Sequence, residues 1–105
     1  SAHSIFSKSS ESISVESTSL QKIFEENKIS SCKILKLDCE GAEYEIIDSL
    51  PSEYLDKIQN IVMEYHSADT KPELVKNLIQ KIKNAGFKIK TRSHHDDMGF
   101  LIARK

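Results

Sequence analysis

Four side chains stand where they could do chemistry: Asp38, Glu40, Glu64 and His66. Asp38 and Glu40 are one residue apart at the end of an apolar run, ILKLDCEG, residues 34–41. Glu64 and His66 close a second run, NIVMEYH, residues 60–66. Carboxylates are rarely buried without a partner, so acids that end a buried strand need a reason. A carboxylate can accept a hydrogen bond from a hydroxyl and assist its deprotonation. An imidazole exchanges protons near neutrality and suits a general base. Together the four could also hold a divalent cation, since oxygen-rich sets with one imidazole suit magnesium or manganese. Nothing in their spacing demands a metal, and we assign no metal ligand.

The elements around them read clearly. Residues 33–38 form a buried strand, and Gly41 supplies a tight turn. Residues 42–50 form a helix with Ala42, Ile46, Ile47 and Leu50 inward, stopped by Pro51. Ser52 caps a short helical turn through Leu55. Residues 60–66 are a strand whose continuous Ile61-Val62-Met63 suggests cover on both faces. Thr70 is a candidate cap and Pro72 sits in the first turn of a helix striped by Leu74, Val75, Leu78, Ile79 and Ile82; Gly86 closes it. Residues 87–92 alternate Phe87, Ile89, Thr91 against Lys88, Lys90, Arg92, as an edge strand with one wet face would. Residues 99–103, GFLIA, are apolar on both faces and read as a central strand.

The lead-in, residues 1–17, is serine-rich and holds at most short strands, at Ile5-Phe6 and at Ile13-Ser14-Val15. Thr18 or Ser19 can cap a helix built on Leu20, Ile23 and Phe24. One partial α/β domain over residues 1–105 results, with its core at 18–105. Helical crossovers make the first three core strands parallel. The short loop at 93–97 makes the last strand antiparallel. Its apolar character inserts it between the second strand and the amphipathic third.

The stretch ILKLDCEGAE closely resembles the hallmark of the FkbM-type methyltransferases. Lys36, Asp38, Glu40, Gly41, Ala42 and Glu43 stand in matching places, and Cys39 takes the position of a valine. The resemblance implies a class I, Rossmann-like methyltransferase sheet and S-adenosylmethionine as methyl donor. It makes Asp38 the residue to contact donor or acceptor, and Glu40 the one to orient an acceptor hydroxyl. Glu64 matches an acid that the family often carries after its apolar strand, with His66 beside it. The acceptor would be a small molecule or sugar, methylated on oxygen.

A class I enzyme binds its donor through a glycine-rich turn in the first half of its sheet. This chain has three glycines, and none falls in such a turn. The resemblance therefore covers the carboxyl-terminal half of the family's domain. We expect a piece that is inactive alone, with an open sheet edge that pairs with a second copy.

Other features are quieter. A formal charge of −1 argues against nucleic acid as partner. No apolar run approaches the roughly 20 residues that span a bilayer. Cys32 and Cys39 flank one strand, poor geometry for a disulfide, so reduced thiols in a cytoplasmic protein are the simpler reading. His94-His95-Asp96-Asp97 reads as a solvated loop rather than a metal cluster, because adjacent histidines point apart. Two other readings stay open: a non-catalytic α/β association module, and a fragment of a metal-dependent hydrolase.

Overall fold

The computed structural model describes residues 9–15, 20–37, 41–94 and 97–105. Nine elements follow one another. They are β1 (Ser9–Val15), α1 (Leu20–Glu26), β2 (Ser31–Leu37), α2 (Glu43–Ser49), α3 (Ser52–Leu55), β3 (Ile58–His66), α4 (Pro72–Asn84), β4 (Lys88–His94) and β5 (Met98–Arg104). The strands form one sheet in the order β1-β2-β3-β5-β4.

β1, β2 and β3 pair in parallel. β5 is antiparallel to both β3 and β4, so β4 runs with β3. The insertion of the last strand thus lies where apolar patterning puts it. The short strand expected at Ile13-Ser14-Val15 is present and longer than expected. Residues 9–15 form a full strand in register with β2, Ile13 opposite Leu35 and Val15 opposite Leu37. The alternation at Ile13-Ser14-Val15 marks its second half, and the serine run before it carries no apolar signal.

Each step from β1 to β2, to β3 and on to β4 moves the same way across the sheet. Right-handed crossovers then place α1, α2 and α4 on one side. The burial pattern agrees. Leu35, Leu37, Ile61, Met63, Tyr65, Leu101 and Ala103 alternate along their strands and are buried. They share one core with Leu20, Ile23 and Phe24 of α1, Ile47 of α2, and Leu78 and Ile82 of α4. Each buried Leu, Ile, Phe or Met among them contributes about 2 kcal/mol before entropy is counted.

The opposite parity is another matter. Val62, Phe100 and Ile102 are 40%, 39% and 53% exposed. Cover on both faces, expected for β3 and β5 from their unbroken apolar runs, is therefore corrected. Among the described residues that second face is packed in part: Cys32 and Ile58, of the same parity, are buried, while Val62, Phe100 and Ile102 are open.

Local capping departs from expectation as well. The capping candidates Thr18 and Ser19 lie outside the described residues. Pro51, not Ser52, holds the N-cap position of α3. Lys71, not Thr70, holds that of α4, and Thr70 is engaged elsewhere. At the end of α2, Lys81 Nζ donates to the carbonyls of Asp48, at 2.8 Å, and Leu50. A cation there also suits the negative end of a helix. No helix among the described residues is long and apolar enough to cross a membrane.

Candidate functional site

β2 and β3 are parallel neighbours, with Leu37 opposite Met63. Ligands of open α/β sheets bind beyond the carboxyl ends of such strands. Asp38, Cys39 and Glu40 follow β2 in sequence and lie outside the described residues. The chain resumes at Gly41, whose φ of +100° is open to glycine and strained for other residues. α2 begins at once.

α2 does not turn the expected face inward. Ile47 and Leu50 are buried, Ala42 and Ile46 only half-buried. The fully buried residue of the first turn is Glu43, at 0% exposure. Its phase explains this: 43, 47 and 50 are spaced i, i+4, i+7 along one helical stripe.

A carboxylate so placed must find partners. Glu43 Oε1 accepts the Gly41 N–H at 2.7 Å. Its Oε2 accepts the backbone N–H of His66 at 2.8 Å and lies 3.1 Å from His66 Nδ1. One side chain therefore ties the turn after β2 to the end of β3. Both oxygens already accept backbone hydrogens. The ring contact is satisfied when Nδ1 carries the proton, which leaves Nε2 with the free lone pair. That Nε2 stands 3.7 Å from Glu64 Oε1. The imidazole is 20% exposed and the Glu64 side chain 31%, so both reach solvent at the rim.

Two more groups brace His66. The Tyr44 hydroxyl donates to the His66 carbonyl. Burial, and secondarily the neighbouring Glu43 charge, push the Tyr44 phenol up to about 12. It stays a donor at any physiological pH. Ser67 follows at φ +59°, a left-handed residue that swings the chain off the sheet.

The loop after β4 also belongs to this rim. His66 pairs with Met98, so Asp97 sits beside the carboxyl end of β3. Its carbonyl accepts the Ala68 N–H at 3.0 Å. Oδ1 accepts the N–H groups of Asp69 and, at 3.1 Å, Thr70; Oδ2 accepts the Thr70 hydroxyl at 2.7 Å. The Thr70 hydroxyl, then the Asp69 N–H, hold the Asp97 carboxyl below its ordinary value. The expectation of a merely solvated loop is thus corrected for Asp97, which clamps residues 68–70. His95 and Asp96 lie outside the described residues.

Of the four residues singled out by sequence, Glu64 and His66 come together. Glu43, known beforehand only as a motif match, joins them. Among the described residues no three His, Cys, Asp or Glu side chains are grouped to hold a metal ion. A cavity of about 350 Å³ opens between α2 and α4, lined among others by Tyr44, Asp48, Leu74 and Lys81. It includes neither Glu64 nor His66. Cys32 is buried and contacts the Ile34 carbonyl at 3.3 Å.

The described residues form a mixed α/β sheet with Glu64 and His66 at the carboxyl end of β3, beside the end of its parallel neighbour β2. The family model for the Methyltransferase FkbM domain matches residues 1–89, and the chain belongs to that family. No curated protein matches the chain. Carboxylates at the rim fit the cationic sulfonium end of a methyl donor. The glycines lie in the turn at 41, after α4 at 86, and under the Tyr65 ring at 99. They build no cradle for the nucleotide end.

Proposed function

We propose that this rim is the acceptor side of an S-adenosylmethionine-dependent methyltransferase, and that the acceptor is a hydroxyl of a small molecule or sugar. The observation that carries the reading is the buried Glu43 carboxylate holding His66 beside Glu64, directly after the family's acid-and-glycine turn. The strand order, with β5 inserted antiparallel, supports reading the sheet as the second half of a class I methyltransferase sheet.

When bound, S-adenosylmethionine supplies an electrophilic methyl group. His66 Nε2 takes the proton of the acceptor hydroxyl, and Glu43 keeps Nδ1 protonated and the ring in place. Glu64 stabilises the imidazolium that results. Asp38 contacts donor or acceptor, and Glu40 orients the hydroxyl. Alignment does most of the work.

The test is release of S-adenosylhomocysteine by the protein carrying this chain, across a panel of hydroxylated acceptors. His66→Ala lowers the rate about 10²- to 10⁴-fold. An unchanged rate overturns the role of His66. No release with any hydroxyl, but release with amines, overturns the acceptor class. This 105-residue chain alone is inactive and does not bind S-adenosylmethionine at micromolar concentration, for want of a glycine-rich turn. Calorimetric detection of such binding overturns that part.

A second proposal concerns association. Among the described residues β1 is the outermost strand beside β2. An open strand edge offers unpaired backbone groups, and a second copy satisfies them. Light scattering then reads twice the chain mass; the mass of one chain rejects it.

A further inference from the structure

The segment that leaves the end of β3 is poor in packing and rich in hydrogen bonds. Residues 67–71 join His66 to α4. Ser67 and Ala68 are half-buried, while Asp69, Thr70 and Lys71 are exposed. A stretch with so few buried apolar groups takes its order from polar contacts. One is internal: the Ser67 carbonyl accepts the Lys71 N–H at 2.8 Å. Among the described residues, the bonds that tie the segment to the rest of the fold converge on Asp97. The Asp97 carbonyl takes the Ala68 N–H, and its carboxylate takes the N–H groups of Asp69 and Thr70 and the Thr70 hydroxyl.

Both ends of this clamp hold a left-handed backbone without being glycine: Ser67 at φ +59° and Asp97 at φ +62°. Such conformations cost free energy and persist where surrounding contacts over-determine them. Met98 pairs with His66, so Asp97 is held one residue beyond that pair. The His66 ring is fixed from another direction, by Glu43 of α2. α2 therefore sets the imidazole, and the hairpin of β4 and β5 sets the chain next to it.

We propose that Asp97 is a positioning residue for the acceptor. By pinning residues 68–70 it fixes the side of the rim next to His66, and so the place where the body of the acceptor packs while its hydroxyl meets Nε2. This rests on the reading of the rim as the acceptor side of a methyltransferase. The proton-accepting ring is left to Glu43. Loosening the clamp therefore weakens capture of the acceptor more than it slows transfer to a captured one. A role confined to folding behaves differently: activity falls with the amount of folded protein, and the Michaelis constants stay where they were.

The backbone chooses the variants. Asp97→Gly removes the carboxylate and is at ease at φ +62°. Asp97→Asn keeps one acceptor oxygen and tolerates the same conformation. Thr70→Val removes the hydroxyl bond from the other side, at an exposed position that leaves the fold in place. Each is assayed in the protein carrying this chain, by release of S-adenosylhomocysteine, with the most active member of a panel of monosaccharides and methyl glycosides. Asp97→Gly raises the acceptor KM about tenfold and leaves kcat and the KM for S-adenosylmethionine within about twofold. Asp97→Asn recovers most of the loss, and Thr70→Val falls between. Should Asp97→Gly not fold, Thr70→Val decides. An unchanged acceptor KM overturns the proposal, and so does an equal rise for both substrates. His66→Ala separates this inference from the reading beneath it. A rate that needs His66, with an acceptor KM indifferent to the clamp, rejects the role of Asp97 alone. A rate indifferent to His66→Ala, or no release from any member of the panel, rejects the rim and the role of Asp97 with it. Hydrogen exchange read by mass spectrometry needs no acceptor: residues 68–70 lose protection in Asp97→Gly while residues 60–65 keep theirs. Equal exchange in the two proteins overturns the clamp.

Discussion

Glu43 and His66 are bound twice over: one carboxylate oxygen meets both the backbone N–H of His66, at 2.8 Å, and its ring nitrogen Nδ1, at 3.1 Å. The pair joins the first turn of α2 to the last residue of β3, and it does so at a carboxylate with no exposure to water. Structure and chemistry are therefore coupled at this point. The contact that fixes the ring also closes the helix-to-sheet seam.

Replacing Glu43 separates the two roles. Glu43→Ala strands the N–H groups of Gly41 and His66, at a cost of about 3 kcal/mol in urea unfolding. Glu43→Gln keeps the shape and one acceptor and costs about 1 kcal/mol. Nitrogen-15 shifts of the His66 ring in the unmutated chain report a proton on Nδ1. A proton on Nε2 instead contradicts the assigned geometry.

Asp97 makes the fold acid-sensitive. Its carboxyl is held below the ordinary 3.8, chiefly by the Thr70 hydroxyl. A carboxyl depressed in the folded state adds stability that is complete above the unfolded value and fades as pH falls through the folded one. Melting temperature followed from pH 7 downward should therefore drop more steeply below about pH 4 in the parent chain than in Asp97→Asn. At neutral pH the variant melts lower. Parallel curves would show that the clamp adds nothing.

Tyr44 gives the alkaline counterpart. Its phenol is pushed from 10.0 up to about 12, burial leading. The neutral form is the one the fold favours. Its contribution is whole below pH 10 and is lost as pH rises through about 12. Tyrosinate absorbance should show Tyr44 ionising late, and Tyr44→Phe should flatten the fall of stability across that window. Early ionisation of Tyr44 would count against the packing described.

Gly99 is tested by adding one carbon. A Cβ at this position would overlap the Tyr65 ring. Gly99→Ala forces that ring from its place and costs about 1–3 kcal/mol, read from denaturant midpoints. Gly99→Ala paired with Tyr65→Leu recovers part of the loss, because the obstructing ring is gone.

Much of the architecture was legible in the residues. The apolar runs at 33–37 and 60–63, the α4 stripe and the alternation of 87–92 each carry a period that physics ties to one element. The placement of β5 followed from its apolar character and short loop. β1 was read in part, by the alternation at Ile13-Ser14-Val15; its start at Ser9 was not, because the serines before it carry no apolar period. The exposure of Val62 and Ile102 escaped for a different reason: they read the same whether or not anything covers them. Glu43 was hidden by habit, since an acid in a first helical turn usually faces water. Its phase with Ile47 and Leu50 was the available signal. The rim position of Asp97 was also implicit, because a fourth strand parallel to β3 must end on the same side.

The bare α-carbon at 99 has one more consequence. An antiparallel ribbon can slide by two residues and keep every side chain on its proper face. Such a slip of β5 along β3 would bring Leu101 or Asp97 beneath Tyr65, and neither leaves room for the flat aromatic plate that now rests there. Gly99 thus works as a notch that admits a single alignment, and with it fixes how far the hairpin tip carrying Asp97 projects past His66.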